Sequence, residues 1–313
     1  MLAAHEFMKL KEECRMAIIT KKSDKMVLPT GRSKPSADPW SYAYLMTGEK
    51  KIGKTKFAIE GCEEMVFQFD KPQLAYEIRE VVIKSWKQFK QGLEALEDKA
   101  AEDPGEFPYQ RIVIDGAGEW YQMCQQWVCQ KFGVEHPSEE GYARAWHKLR
   151  DEFTDSVNRL LRLQRNVGCG IIFIAHSEWK EKNTRDGEKI ERLVPNLPPR
   201  AEEILNGKCD AWFTWDYSGD RRIMVVQGDE VTGAGHRIDG HFLTRDGRRV
   251  REIDMGNSSE EALANFMRAF NNEATHATIK EARQAAKGAP VAAKPSGGEG
   301  GAKATRRVVK RRG

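Results

Sequence analysis

The sequence lacks any long apolar run. Across its 313 residues, no stretch approaches the roughly 20 apolar residues that a membrane-spanning helix needs. The first residues, Met1–Glu6, contain no apolar signal core, so we expect a protein that is not exported. Hydrophobic residues make up 40% of the chain and charged residues 31%, so we expect a soluble globular protein with a sizeable core.

Cysteine is scarce and scattered. No pair forms a C-x-x-C motif, and no histidines stand at the spacing of a zinc site, which argues against a structural zinc centre. The pattern favours reduced thiols in the core or at the surface rather than a disulfide framework. The six cysteines are Cys14, Cys62, Cys124, Cys129, Cys169 and Cys209.

The chain has little net charge, +4 at neutral pH, so its overall charge does not identify a nucleic-acid partner. Much of the excess lies at the C-terminus, in Arg306–Arg312. Residues 271–313 are rich in Gly, Ala and Lys and are predicted to form a disordered basic tail. Such a tail either binds phosphate backbones or only keeps the protein soluble. Residues 1–38 contain no clear core element and are predicted to be an arm or lead-in.

One motif organises the rest of the chain. Residues 48–55 read G-x-x-x-x-G-K-T, the P-loop pattern, between a predicted strand at 41–47 and a predicted helix at 56–60. Its glycines let backbone N–H groups approach phosphate oxygens, and the following helix presents its positive end to them. The alternative, a lysine-rich surface loop, is disfavoured by the strand and helix on either side. The residues expected to contact nucleotide are Gly48, Glu49, Lys50, Lys51, Ile52, Gly53, Lys54, Thr55 and Lys56.

Two predicted buried strands end in carboxylates. Residues 111–115 form a β-branched run that ends at Asp115 and is followed by glycine, as in a Walker B strand. In such a site Lys54 reaches the β- and γ-phosphates, while Thr55 and Asp115 hold Mg²⁺. Residues 64–70 form the second strand, which ends at Asp70.

A third apolar strand, residues 170–177, ends in a polar tip that contains His176. In a P-loop sheet this tip lies beside the γ-phosphate, so His176 either senses that phosphate or merely bonds a neighbour at the end of the strand. The charged segment 178–192 follows and is predicted to be a mobile loop or hairpin. Its cations alternate with acids, so a solvated face and a DNA contact are equally compatible with the pattern.

The remaining pattern alternates strands and helices. A helix capped by Ser85 is expected to give way to a loop at 97–108, and strands are expected at 210–215 and 221–226. Ser258 or Ser259 is expected to cap a last helix. Residues 39–270 are therefore predicted to be an α/β core with a mostly parallel sheet between helices.

The motifs together resemble a known class. "YLMTGEKKIGKTKFA", "MVFQFDKP", "RIVIDGAGEWY" and "GIIFIAHSEWKEK", within residues 39 to 245, resemble the phage-encoded nucleotide-binding proteins of the AAA/RecA-like P-loop class. Some of these are recombination or single-strand annealing proteins built from the RecA core alone. The resemblance implies an ATPase that uses ATP and Mg²⁺, whose subunits stack head to tail on single-stranded DNA in the host cytoplasm.

The sequence departs from this class at one position. Where RecA-like proteins carry a catalytic glutamate after the P-loop helix, this chain has Asp70, whose shorter side chain has less reach toward the attacking water. Glu119 is a second candidate, ranked lower because a helical turn is expected to carry it away from the γ-phosphate. Arg237 is an arginine-finger candidate toward a neighbouring subunit.

The sequence therefore predicts a DNA-stimulated ATPase with Lys54, Asp70, Asp115 and His176 as its catalytic residues. Its expected partners are single-stranded DNA, further copies of the chain, and single-strand-binding or replication proteins that meet the tail. Two alternatives remain at this stage: a nucleotide-gated clamp or loader without turnover, and a small-molecule P-loop kinase with residues 178–192 as its lid.

Overall fold

The computed structural model describes residues 31–32, 34–184 and 186–288. Its strands are β1 Ala43–Gly48, β2 Glu64–Gln68, β3 Glu80–Val82, β4 Arg111–Asp115, β5 Gly170–Ile174, β6 Ser177–Asn183, β7 Lys189–Pro195, β8 Ala211–Ser218, β9 Arg221–Val225, β10 Gly235–His236 and β11 Glu252–Asp254. Its helices are α1 Lys54–Ile59, α2 Trp86–Glu102, α3 Ala117–Phe132, α4 Arg144–Val167, α5 Pro199–Lys208, α6 Ser259–Phe270 and α7 Ile279–Gly288.

A mostly parallel sheet forms the centre of the fold. Its order is β11-β9-β8-β1-β5-β4-β2-β3, with β10 paired to β8. The run from β8 to β3 is parallel throughout, and only β9, β10 and β11 pair antiparallel. Since the carboxyl ends of parallel strands meet at one edge, the tips of β1, β5, β4 and β2 lie together there. This is the α/β fold that the sequence predicts, and it is the sheet arrangement of P-loop NTPases.

The strands alternate their apolar side chains between two cores. In β4, Ile112 and Ile114 enter the core that contains residues of α2 to α5, whereas Val113 enters the core that contains residues of α1 and α6. Both faces of the sheet are therefore covered, which explains why the central strands read as continuous hydrophobic runs. Trp120 is fully buried in the first core, where it stacks on Phe173.

The loop expected at residues 97–108 is wrong over its first half. Helix α2 continues to Glu102, and a short 3-10 turn follows at Pro104–Glu106. Leu96 and Ala100 are both buried and continue the apolar stripe, one helical turn apart. The intervening Glu, Asp and Lys residues form the solvent face of this helix, so a polar composition does not mark a loop here.

The predicted tail boundary at residue 271 is also too early. Ile279, at the start of α7, is buried beside Ile223 and Val225, and its N–H donates to Glu252 Oε2 at 2.9 Å. Arg248 forms an ion pair with Glu281. These contacts order the chain as far as Gly288 in spite of its alanine-rich composition. Residues 289–313 of the predicted tail and residues 1–30 of the predicted arm lie outside the described residues.

The segment after β5 folds as a hairpin, one of its two predicted forms. β6 and β7 pair antiparallel from Ser177 opposite Pro195 to Asn183 opposite Lys189. Within the described residues, no helix has the length and apolar character needed to cross a lipid bilayer.

Candidate nucleotide-binding site

The P-loop connects β1 to α1 in the way its glycines require. Gly48 has φ 146°, and a Cβ there would lie 2.6 Å from the Trp215 carbonyl oxygen. Gly53 has φ 113°, and a Cβ there would lie 2.8 Å from a guanidinium nitrogen of Arg222. Both the backbone angles and the close neighbours exclude side chains at these two positions. The loop therefore presents bare backbone at its two ends, as a phosphate-binding loop must.

Lys54 is buried within the curve of this loop. Its Nζ donates to the carbonyl oxygens of Gly48 at 2.8 Å and of Glu49 at 2.7 Å. Burial lowers the pKa of Lys54 to about 8, although the nearby charges of Asp115 and Glu49 oppose that shift. The two carbonyl groups therefore offset only part of the free-energy cost of burying the ammonium group, which leaves it suited to bind an anion.

Thr55 and Asp115 meet beside Lys54. Thr55 Oγ1 donates to Asp115 Oδ2 at 2.9 Å, which joins the start of α1 to the tip of β4. Burial raises the pKa of Asp115, while the bond from Thr55 and the charge of Lys54 lower it. A hydroxyl and a carboxylate are the oxygen donors that suit Mg²⁺.

The donor set fits a metal that shares its ligands with phosphate. No group of three or more His, Cys, Asp or Glu side chains in the described ranges would hold a metal ion by itself. Mg²⁺ usually keeps water and phosphate oxygens in its coordination shell and takes only one or two protein ligands. Thr55 and Asp115 therefore fit the one or two protein ligands that Mg²⁺ takes beside a nucleotide.

The side chains of the P-loop differ in their exposure to solvent. Ile52 is fully buried and anchors the loop in the core, so only its backbone faces a ligand. Glu49, Lys50, Lys51 and Lys56 are exposed. Lys51 has φ 66°, a left-handed conformation that continues the turn between the two glycines.

His176 lies just past the tip of β5, the strand between β1 and β4. Its Nδ1 is buried and has no hydrogen-bond partner among the described residues. Burial and then the cations of Lys54 and Lys50 lower the pKa of His176, so the imidazole is neutral at pH 7. The structure thus brings His176 to the same strand tips as Lys54 and Asp115.

The two candidate carboxylates differ in position. Asp70 is exposed and stands two residues after β2 ends. Glu119 is half-buried in the first turn of α3, and its Oε2 lies 3.1 Å from where a Cβ on Gly116 would be. Because helical side chains point back toward the helix start, the Glu119 carboxylate is turned toward Gly116 at the tip of β4.

Sequence reasoning missed Arg222, which holds the P-loop from β9. Its guanidinium donates to the carbonyl oxygens of Ile52 at 3.3 Å, of Gly256 at 2.9 Å and 3.0 Å, and of Ser258 at 3.3 Å. No local pattern marks this arginine, because its partners are 34 to 170 residues away in sequence.

Arg237 lies away from these strand tips. Its N–H donates to the carbonyl of Asp210, immediately before β8 begins, at the opposite edge of the sheet. Its side chain bonds Asp210 Oδ1 and the Lys208 carbonyl, both at 3.1 Å. The structure therefore gives the arginine-finger hypothesis no support within one chain.

The fold and this cluster define a P-loop NTPase. A family model described as an AAA domain matches residues 41–238, which span β1 to β10, and the chain belongs to this family. Membership implies nucleotide binding, typically with Mg²⁺. No curated protein matches the chain. Strand β11 and helices α6 and α7 lie beyond the matched range.

Proposed function

We propose that this protein binds and hydrolyses ATP with Mg²⁺ and acts on single-stranded DNA. The observation that carries the proposal is the joining of Lys54, Thr55 and Asp115 at the tips of β1 and β4 by hydrogen bonds and charge. Lys54 supplies positive charge where phosphate charge develops, and Thr55 with Asp115 supplies oxygen donors for Mg²⁺. His176 supplies a neutral imidazole beside them.

The β6–β7 hairpin is the proposed DNA contact. Lys180, Lys182 and Arg192 share one of its faces with a single acid, Glu178, whereas Glu181 and Glu191 lie opposite each other on the other face. The segment contains cations and acids in similar number, but the hairpin places Lys180, Lys182 and Arg192 on one face and Glu181 and Glu191 on the other. Lys180 and Arg192 are directly opposed across the strands, and Glu178 pairs with Lys180 at 2.8 Å. The buried Nε of Arg192 has no hydrogen-bond partner among the described residues, so this second cation still lacks an anion at that nitrogen. A phosphate backbone would supply that anion along the whole basic face.

The hairpin begins where the nucleotide site ends. Ser177, the first residue of β6, follows His176 directly, and the N–H of Asn196 donates to the His176 carbonyl at 2.7 Å. At its base, Leu193 exchanges backbone hydrogen bonds with Val231 and Gly233 at 2.7 and 3.0 Å. A shift of His176 on nucleotide binding would thus be transmitted to both strands of the hairpin. This connection supports DNA-stimulated turnover.

The biological role follows from the resemblance and remains part of the proposal. We expect copies of the chain to assemble head to tail on single-stranded DNA during phage recombination, annealing or replication. The basic tail after residue 288 is the expected contact for the DNA backbone or for other replication proteins.

Two alternative functions each have a supporting observation. The exposed position of Asp70 favours a nucleotide-gated clamp or loader that binds ATP tightly without turnover. A cleft of about 300 Å³ between Glu119, His176 and Asn196 favours a kinase with a small acceptor. Release of inorganic phosphate without any added acceptor argues against both.

The direct experiment measures phosphate release with and without single-stranded DNA. Wild type is expected to hydrolyse ATP faster with DNA, and Lys54→Ala to lose turnover in both conditions. Reversing Lys180 and Arg192 to Glu is expected to abolish DNA stimulation and DNA binding while leaving DNA-free turnover intact. Lys189→Glu, on the other face of the hairpin, is the matched control. If the control loses as much DNA binding as the double variant, the assigned DNA face is wrong.

A further inference from the structure

Helix α3 begins at Ala117, two residues after Asp115, the carboxylate expected to bind Mg²⁺. Gly116 directly follows Asp115 and caps the helix with φ 93°, in the left-handed region. This conformation turns the chain at once, so that Glu119 is the third residue of the helix. Its side chain points back over Gly116, with Oε2 3.1 Å from the position of a Cβ there. The Glu119 carboxylate therefore lies near the tip of β4 rather than farther along the helix.

The surroundings of Glu119 are those of the nucleotide site. With His176 and Gln122 it lines a cleft of about 300 Å³, to which Asn196–Pro198 also contribute. Glu119 thus shares this cleft with His176, and its carboxylate is turned toward Gly116, the residue that follows Asp115.

Asp70 approaches the same point with its backbone rather than its carboxylate. The N–H of Phe69 donates to the Asp115 carbonyl at 3.0 Å, which fixes the chain beside β4. From there it is the Asp70 backbone nitrogen that lies 3.6 Å from the Cβ position on Gly116. The Asp70 side chain is exposed and one methylene shorter than that of Glu119.

We propose that Glu119 is the catalytic carboxylate that activates water for attack on the γ-phosphoryl group. This inference rests on the proposed hydrolysis of ATP. Glu119 accepts a proton from the water whose oxygen bonds to the γ-phosphorus as the bond from that phosphorus to the β-phosphate oxygen breaks. The products are ADP and inorganic phosphate.

The test compares Glu119→Gln with Asp70→Asn in the full-length protein, for both turnover and nucleotide binding. Glu119→Gln is expected to lower turnover by about 10²- to 10⁴-fold, the usual contribution of a general base, with Mg²⁺-ATP affinity nearly unchanged. It should therefore retain intact ATP through gel filtration, as identified by chromatography of the bound nucleotide. The loss of turnover in Asp70→Asn is expected to be at least tenfold smaller than the loss in Glu119→Gln. The exposed Glu106, in the turn before β4, gives the matched control Glu106→Gln.

The outcomes separate this inference from the function on which it rests. If wild type hydrolyses ATP and Asp70→Asn loses more turnover than Glu119→Gln, the assignment to Glu119 is overturned and the proposed function stands. A Glu119→Gln protein that no longer binds Mg²⁺-ATP also overturns it, since the residue would then support the site rather than the chemistry. Wild type without turnover overturns both, and points to the nucleotide-gated clamp.

Discussion

The polar residues at the two edges of the parallel sheet differ in their hydrogen-bond partners. At the amino-terminal edge, Arg111 donates to the carbonyls of Ala58 and Glu60 at 3.1 and 3.0 Å, and its guanidinium lies 3.5 Å from the centre of the Trp40 ring. Asp210 accepts from the Ala43 N–H at 2.9 Å. These hydrogen bonds join one element of the fold to another.

At the carboxyl edge the polar groups bond one another or remain open. Lys54 bonds carbonyls of its own loop, Thr55 bonds Asp115, and the buried Nδ1 of His176 has no partner among the described residues. The Nε of Arg111 at the other edge also lacks a partner, so an unpaired atom alone does not indicate a ligand. What indicates a ligand at the carboxyl edge is a buried cation beside a hydroxyl, a carboxylate and an imidazole at the strand tips. The difference separates the residues that build this sheet from those that are available to nucleotide.

The largest expected effect comes from removing the buried cation. Lys54→Ala should weaken Mg²⁺-ATP binding by about a hundredfold or more, because no other buried side chain in the described P-loop carries positive charge to the phosphates. Equilibrium titration with a fluorescent ATP analogue measures this loss. Lys87→Ala, at an exposed position near the start of α2, is the control and should bind normally. Equal affinity in the two variants would reject the P-loop assignment.

Asp210 and Asp115 provide a reciprocal test of the two edges. Asp115→Asn should remove the Mg²⁺ dependence of ATP binding, because the site loses its charged metal ligand. Asp210→Asn should instead lower the free energy of unfolding by about 1–3 kcal/mol, the usual range for disturbing such a hydrogen-bond network, and leave ATP affinity unchanged. Denaturant unfolding and nucleotide titration on both variants measure the contrast. An Asp210 variant with impaired nucleotide binding would contradict the separation of the two edges.

Substitutions of Arg222 test whether the antiparallel strand β9 stabilises the P-loop. Arg222→Ala should weaken ATP binding by about tenfold, since the carbonyl of Ile52 loses its donor and the loop loses its fixed shape. Arg222→Lys should recover part of the affinity. The neighbouring Arg221, whose exposed side chain pairs with Asp254, gives the matched control Arg221→Ala. Two arginine variants with equal affinity would remove Arg222 from the site.

Titration of Lys54 predicts a pH dependence of binding. Its ammonium form binds phosphate, and its pKa is about 8 without nucleotide. Nucleotide raises that pKa, so affinity should be flat below about pH 7, fall by about half by pH 8, and then fall by up to tenfold for each further pH unit. Lys54→Arg stays charged and should lack this fall. An unchanged wild-type affinity at pH 9.5 would show that the pKa of Lys54 is not lowered.

The smallest effect is expected at Arg237. Because its guanidinium bonds Asp210 and the Lys208 carbonyl at the other edge, Arg237→Ala should keep DNA-stimulated turnover within about twofold. Phosphate release at high protein concentration, where subunits associate, measures this. A loss of a hundredfold or more would instead restore the arginine-finger hypothesis, since such fingers contribute about 10³-fold or more.

Local patterns predicted the parts of the site that depend on local geometry. The P-loop spacing located Gly48, Gly53, Lys54 and Thr55, and the apolar run into Asp115 located the tip of β4. The position of Glu119 could not be predicted in the same way, because it depends on the left-handed conformation of Gly116 and on an immediate helix start. Arg222 depends on an antiparallel strand far along the chain. The continuation of α2 past residue 96 was missed because its polar face was interpreted as a loop.

Hydrogen–deuterium exchange with and without saturating Mg²⁺-ATP tests the central claim most directly. The account predicts slower exchange at the carboxyl edge, in residues 48–55, 115–119 and 175–177. It predicts no change at the amino-terminal edge, in residues 41–43, 109–111 and 208–211. Protection at the second set without the first, or no protection at either, would contradict the assignment of the carboxyl edge as the nucleotide site.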